Sequence, residues 1–402
     1  MNSDITNRVL ERVKSLSVKF HRDVISYRRE LHANPELSYE EVRTCAFIAA
    51  RMKEFKIPFK KGMAKNGVVA LLEGKNPKKK IVALRADMDA LPILEKNKVS
   101  YCSKNSGVMH ACGHDVHMAS LLGTARILSE LRNEFEGTIK FIFQPAEEKA
   151  PGGASIMIKE GVLKNPKPDF ILGQHVTPEL EVGKIGFRAG KFMASSDELY
   201  VTIKGRGGHA AQPNKLIDPV LIASHLIVSL QQIVSRQASP LMPSVLSFGK
   251  VIANGATNII PDEVKLEGTF RTFDEKWRKE AKVKMKYLAG NLVASMGGSC
   301  DFKIVESYPF LKNDERLTKS ISELAKEYVG EKNVVEMEPR MGSEDFAFYS
   351  QHIPACFYRL GTGNSKKGIN TPVHTSTFDI DERALEVGMG MMSYLTLRSL
   401  NR

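Results

Sequence analysis

Between Gly67 and His175 the chain alternates short apolar runs with stretches at helical spacing, and three of the apolar runs end in residues able to carry chemistry. Residues 67–72, 80–85, 137–143 and 169–173 read as strands, and residues 116–132 and 154–160 as helices. This order builds a mostly parallel sheet. In such sheets ligands bind beyond the carboxyl ends of the strands. The run 80–85 leads into Asp87 and Asp89, the run 137–143 into Glu147 and Glu148, and the run 169–173 into His175. Three strand ends therefore point to one crevice.

A loop of unusual density enters the same crevice. His110-Ala111-Cys112-Gly113-His114-Asp115-Val116-His117 gathers imidazole, thiol and carboxylate within one short stretch. Imidazole nitrogen and thiolate sulfur suit zinc and similar metals, and carboxylate adds a harder donor. Cys112 and His114 can converge if the loop turns between them, and Gly113 eases that turn. The alternative is a plain helix start, with Asp115 capping the run 116–131. One loop rarely closes a metal site, so further donors are expected elsewhere. Glu147 and Glu148 would face opposite sides of the sheet if the strand continued through them. Pro145 predicts that it has ended, leaving one carboxylate to ligate a metal and the other to act as a base. Two solvated glutamates are the plain alternative.

Around this core the chain changes style twice. Residues 4–32 carry apolar positions at helical spacing, predicting one or two helices that break at His32-Ala33-Asn34-Pro35. His32 at that end reads as structural. Ser38 followed by Glu41 predicts a capping box for a helix to about Phe55. From Met193 strands at 198–203, 245–251, 264–271 and 300–305 surround two helices, 218–236 and Glu275–Ser295, with a glycine-rich turn at Gly205-Arg206-Gly207-Gly208-His209. After Pro309 helix and strand alternate again, through Met341-Gly342-Ser343-Glu344-Asp345-Phe346 to a last helix at 381–399. The expected architecture is an α/β, mostly parallel-sheet catalytic domain in two segments, 1–192 and 307–402, interrupted by a smaller α+β domain at 193–306. The full length of 402 residues also favours two domains.

Charge excludes little but orients the reading. The net charge of +12 would permit nucleic-acid binding, yet the lysines lie in short scattered clusters such as Lys60-Lys61 and Lys366-Lys367. No nucleic-acid partner is expected. No apolar run approaches the ~18 residues of a membrane span, residues 1–29 have no signal-peptide core, and the five cysteines form no CxxC pair. The chain reads as cytoplasmic, with free thiols.

Met109-His110-Ala111-Cys112-Gly113-His114-Asp115, Gln144-Pro145-Ala146-Glu147-Glu148, Gly208-His209-Ala210-Ala211-Gln212-Pro213, Gly342-Ser343-Glu344-Asp345-Phe346 and the late His374 follow one another in an order that resembles the aminoacylase-like metallo-amidohydrolases. That group includes hippurate hydrolases, N-acyl-amino-acid deacetylases and auxin-amino-acid hydrolases. The resemblance runs from about Arg28 to the C-terminus. It implies two divalent metal ions held by Cys112, His114, Glu148, His175 and His374, with Cys112 bridging and Glu147 as general base. Zinc or manganese are the expected ions, and nickel or cobalt also suit the donors. It implies hydrolysis of N-acyl L-amino acids, with His209 near the oxyanion and Asn258 and Arg271 holding the substrate carboxylate. The inserted domain would serve as lid and as a homodimer contact. Asp89 matches an orienting aspartate by position, although no histidine precedes it as in the wider superfamily. His110 and His117 are not expected to be ligands. A dipeptidase or carboxypeptidase, a cysteine-nucleophile hydrolase and a metal-dependent binding protein remain as alternatives.

Overall fold

The computed structural model describes the backbone of residues 3–401 and the side chains of residues 7–401. The first helix, α1, is continuous over Ser3–Ala33. Val13, Leu16, Phe20, Val24, Tyr27 and Leu31 are buried along it at spacings of three and four, the stripe of a helix lying on a core. Asn34 and Pro35 end it, since proline disfavours helix in the residue before it. The next helix, α2 (Val42–Glu54), corrects the expected capping box. Ser38 does not cap it. The carboxylate of Glu36 instead accepts from the amides of Arg43 and Thr44 at 3.0 and 2.8 Å, and from the Thr44 hydroxyl at 2.9 Å. Ser38 and Glu41 are committed elsewhere, as described below.

There follow β1 (Phe59–Met63), β2 (Gly67–Glu73), β3 (Ile81–Asp87), α3 (His114–Glu130), β4 (Thr138–Gln144), α4 (Gly153–Lys159), β5 (Phe170–Glu181) and β6 (Ile185–Phe187). The second unit contributes β7 (Asp197–Lys204), α5 (Pro219–Gln232), β8 (Ser244–Ile252), β9 (Glu263–Thr272), α6 (Glu275–Ser295) and β10 (Ser299–Glu306). The chain closes with α7 (Glu315–Val329), β11 (Val334–Glu336), β12 (Ala355–Gly363) and α8 (Arg383–Leu400).

Eight strands form one sheet in the order β1-β2-β4-β3-β5-β12-β6-β11. The central β4, β3, β5 and β12 are mutually parallel. The flanks are not: β2 runs antiparallel to β4, and β6 antiparallel to β12. The reasons are local: the links 74–80 from β2 to β3 and 182–184 from β5 to β6 are too short for the crossover that a parallel return needs. Every residue of β4 and of β12 is buried. Helices α1, α3 and α8 pack together beside the sheet, so closely that a Cβ on Gly123 would lie 2.6 Å from the Met389 sulfur and 2.8 Å from Val24. Fully buried side chains such as Leu121, Phe141 and Leu395 each contribute about 1.5–3 kcal/mol of hydrophobic stabilisation.

By its contacts the chain divides into two compact units. The first holds the residues up to Gly190, Lys312–Glu338 and Phe348 onward, and the second holds Lys191–Leu311 with Pro339–Ala347. The segment with Ser343 and Glu344, expected in the catalytic domain's second part, thus falls with the second unit. The amide of Ala194 fixes it there by donating to the carbonyls of Arg340 and Gly342 at 3.1 and 3.0 Å. The second unit is a four-stranded antiparallel sheet, β8-β9-β7-β10, with its own core of Leu199, Val201, Leu226, Leu266, Phe270, Met285 and others. Asp218 caps α5 by accepting from the amides of Val220 and Leu221. The apolar stretch expected to be helical through Arg236 leaves α-geometry at Gln232 and finishes in a wider π turn, Ile233–Gln237. Among the described residues no helix is long and apolar enough to cross a membrane.

Candidate metal centre

The carboxyl end of β3 supplies the acidic floor. Asp87 is fully buried and accepts from Arg85 Nη1 and from His117 Nδ1, each at 2.6 Å. The other nitrogen of His117 accepts from the Val176 amide at 2.9 Å. His117 is therefore a neutral ring with both nitrogens in use, and burial holds its pKa below the usual histidine value. It has no lone pair left for a metal.

Gly113 turns the neighbouring loop. It sits at φ 80°, and a side chain there would place its Cβ 2.5 Å from Val176. Glycine tolerates that conformation at no steric cost. The turn brings Cys112 and His114, the first residue of α3, toward one point. Cys112 Sγ lies 3.5 Å from His175 Nε2 and 3.3 Å from His374 Nε2. His374 Nε2 lies 3.3 Å from Glu148 Oε1, and His114 Nε2 lies 3.9 Å from the same oxygen. Two groups result, Cys112 with His114 and His175, and Cys112 with Glu148 and His374, each with its ligand atoms within 4.8 Å of one another. Cys112 belongs to both. His374 adopts a left-handed backbone (φ 63°) and is tied to the loop by its amide, which donates to Ala111 O at 2.7 Å.

The electrostatics of this cluster call for a cation. Neither ring nitrogen of His114 nor Glu148 Oε1 makes a well-formed hydrogen bond, although all three atoms are buried. Burying polar atoms without a well-formed hydrogen bond is costly. Burial opposes a positive charge on His114, but Asp87, Asp89 and Glu148 together outweigh it and raise its pKa to about 10. Burial, then Glu148, Glu147 and Asp87, push the Cys112 thiol well above its ordinary value. A divalent cation at this point would reverse both tendencies. His175 is prepared for one: its Nδ1 donates to Val176 O at 2.8 Å, leaving the Nε2 lone pair toward Cys112. Burial and nearby Arg359 keep that ring neutral. Donor types, orphaned atoms and field all fit a metal pair.

Glu147 and Glu148 follow a strand that ends at Gln144, as Pro145 predicts. Ala146 takes a left-handed backbone, φ 53°, and re-aims the two carboxylates. Glu147 is buried. The amides of Glu147 and Glu148 donate to the two oxygens of Asp89, both at 2.9 Å. Asp89 also lies 3.3 Å from His114 Nδ1. One buried aspartate thus touches a candidate ligand and the backbone of the candidate base, a larger share than its sequence position suggested.

Asp115 is not the helix cap of the simpler reading, because the N-cap is Gly113 and no side chain caps α3. Its Oδ2 accepts from Arg28 Nε and His32 Nδ1, each at 2.8 Å. His32 Nε2 lies 3.2 Å from Glu95, and Arg28 Nη2 reaches Asp379 at 2.7 Å. With a carboxylate on each nitrogen, His32 is structural, as expected, and holds its proton. Sequence reasoning missed Arg28, Glu95 and Asp379. His110 is buried with no hydrogen-bond partner on either nitrogen, and burial lowers its pKa to about 4.

The three expected substrate-binding residues lie in the second unit. His209 pairs with Ile259 across a short ladder, the Ala210 amide donates to Asn258 O at 3.0 Å, and both His209 and Asn258 are exposed. Arg271, on β9, donates to Met341 O and Ser343 Oγ, both at 3.2 Å. It pairs with a carbonyl and a hydroxyl rather than with the surface carboxylate that a plain ion pair would need.

Cysteine, histidine and glutamate donors gathered where β3 and β4 end, with His175 inside the longer β5 and Glu147 buried beside them, are the donor set of a metal-dependent hydrolase. The chain belongs to Peptidase family M20/M25/M40, whose sequence profile matches residues 83–398. It is 44% identical over 306 residues to an N-acyl-L-amino acid amidohydrolase of Geobacillus stearothermophilus, covering 76% of this chain and 82% of that one. It is 36% identical to thermostable carboxypeptidase 2 of Saccharolobus solfataricus, over 98% of this chain and all (100%) of the other. Among solved structures it resembles a dinuclear metal binding peptidase of the M20 family from Bacillus subtilis, with TM-score 0.82 and 36% identity over 95% of this chain and 99% of that one.

Proposed function

We propose that this chain is a two-metal amidohydrolase that cleaves N-acyl L-amino acids to a carboxylic acid and a free amino acid. The observation that carries the reading is the pair of three-donor groups sharing Cys112, with Glu147 buried beside them. Cys112, His114 and His175 would hold one divalent ion, and Cys112, Glu148 and His374 the other. Zinc or manganese suits this mixed donor set best, with nickel and cobalt as further candidates. When bound, such ions lower the pKa of water and polarise a carbonyl oxygen.

Glu147 takes the proton of the attacking water and passes it to the departing amine. His209 supplies a donor to the oxyanion, and Asn258 and Arg271 form the fork for the substrate carboxylate. Those roles call for a closing step on substrate. The exposed Leu221, Val228 and Tyr287 of the second unit suit a homodimer contact. Five free thiols suit a reducing cytoplasm.

The second reading, a carboxypeptidase or dipeptidase with the same centre, is supported by the name of the Saccharolobus relative. Amine release from N-acetyl, N-benzoyl and indoleacetyl amino acids and from dipeptides separates the two, run with EDTA, with metal restored, and with Glu147→Gln. Metal-dependent turnover of the acylated amino acids, lost in the variant, is the expected result. Turnover that survives EDTA would return the argument to a Cys112 nucleophile. Tight metal binding with no turnover of any substrate would favour a binding protein.

A further inference from the structure

The stretch that looked like a capping box, Ser38 to Glu41, makes none of the side-chain bonds of a cap. Glu41 is fully buried, and its Oε1 accepts from the Ala146 amide at 2.7 Å. Its Oε2 accepts from Asn66 Nδ2 at 3.2 Å, and the same Asn66 nitrogen donates to Tyr39 O at 3.1 Å. The Ser38 hydroxyl donates to Asp89 Oδ2 at 2.6 Å. Asp89 in turn holds the next two amides, those of Glu147 and Glu148. The successive amides of residues 146, 147 and 148 are thus gripped by two buried carboxylates.

We propose that Glu41, braced by Asn66, is a positioning residue for the general base, setting the direction of Glu147 through the left-handed turn at Ala146. The inference rests on Glu147 having that role. Its logic is geometric. A turn at φ 53° on an alanine is held only by what surrounds it, and the Ala146 amide is its first handle. The arrangement also carries a cost that a merely space-filling residue would avoid. Burial and the neighbouring Asp89 raise the Glu41 pKa to about 7, so the carboxylate sits where its charge is disfavoured. A neutral or apolar side chain would pack there more readily, but could not take both the Ala146 and the Asn66 donors.

The test compares Glu41→Ala, Glu41→Gln and Asn66→Ala in the metal-loaded full chain, measuring kcat, KM, metal content and Tm. Glutamine keeps one carbonyl acceptor for the Ala146 amide while losing the Asn66 bond, so it should rescue part of the function. We expect kcat to fall thirtyfold or more in Glu41→Ala, and severalfold in Glu41→Gln and Asn66→Ala. KM should stay within threefold, with both metals retained. Amide exchange at residues 146–148 should quicken at least tenfold in Glu41→Ala while α3 and β4 keep their protection. A kcat within twofold of the parent in folded Glu41→Ala overturns the proposal. So does a loss that tracks metal content or folded fraction in all three variants. If Glu41→Ala fails to fold, Glu41→Gln and Asn66→Ala decide by the same criteria. If the parent chain turns over no substrate, the functional reading has failed; exchange at 146–148 then still decides whether Glu41 sets the turn, and unchanged exchange overturns it.

Discussion

The two sets of candidate site residues are built in opposite ways. In the first unit Cys112, His114, Glu147 and His175 are buried, Asp89 holds the Glu147 amide and Val176 the His175 ring, and the exposed His374 is tied down through its amide on Ala111. In the second unit His209, in a ladder of two residue pairs, and Asn258 just before its partner strand are exposed, and Arg271 is half-buried. The difference teaches where each kind of chemistry can reside. Groups that must hold cations and move a proton need fixed geometry, and burial with cross-bracing supplies it. Groups proposed to meet a substrate arriving from water can stay exposed.

The strongest way to break this comparison is Glu147→Gln. The substitution removes the base while leaving its amide on Asp89, so kcat should fall by about 10²–10⁴-fold with metal content unchanged. Metal analysis beside single-turnover kinetics checks it, and loss of metal would show that Glu147 is a ligand instead. Next in size is Asp115→Asn. Arg28 and His32 would lose a charged partner in a fully buried setting. Breaking such a pair costs about 3–5 kcal/mol. Denaturant unfolding should show that loss, and a change under 1 kcal/mol would mean the brace beneath His114 is dispensable.

How legible all this was in the chain depended on distance. Cys112 with His114, and Glu147 with Glu148, are close in sequence, and their donor chemistry is visible at once. His175 was reachable from the expectation that strand ends converge in a parallel sheet, although its strand does not end there but continues to Glu181. His374 had no local pattern and came only through resemblance, since nothing in sequence tells that its amide would dock on Ala111. Ser38 and Glu41 were misread for a physical reason. Their spacing satisfies a local capping rule, but Asp89 and Ala146, distant in sequence, compete for the same side chains and win. Strand direction was legible at the centre, as a mostly parallel sheet, and not at the flanks, where short links such as 74–80 set it. The boundary near 339–347 was hidden because it depends on contacts to Ala194 that no composition shift announces.

Arg271→Ala sharpens the comparison from the other side. Removing a charge-assisted partner of the substrate carboxylate should raise KM about tenfold to a hundredfold, with kcat changed less and metal content intact. Steady-state kinetics on one N-acyl amino acid checks it. A fall in kcat alone, at constant KM, would assign Arg271 to holding the 341–343 segment through its bonds to Met341 and Ser343.

The smallest effect is one of pH, at the edge of the braced region. Burial opposes the charge of Glu95, but His32 and the Ser103 amide outweigh it and lower the pKa to about 2. Its unfolded value is about 4.3. A carboxylate depressed in this way stabilises the fold fully above the unfolded value, and that contribution fades as pH falls toward the folded one. His32 has the opposite sign: its raised pKa stabilises below the ordinary histidine value and is lost as pH rises through the folded value. Comparing the parent with Glu95→Gln by urea unfolding should therefore show a gap at pH 6 that narrows by pH 3, with kcat at neutral pH nearly unchanged. A gap of equal size at both values would mean that Glu95 acts by shape and neutral hydrogen bonds.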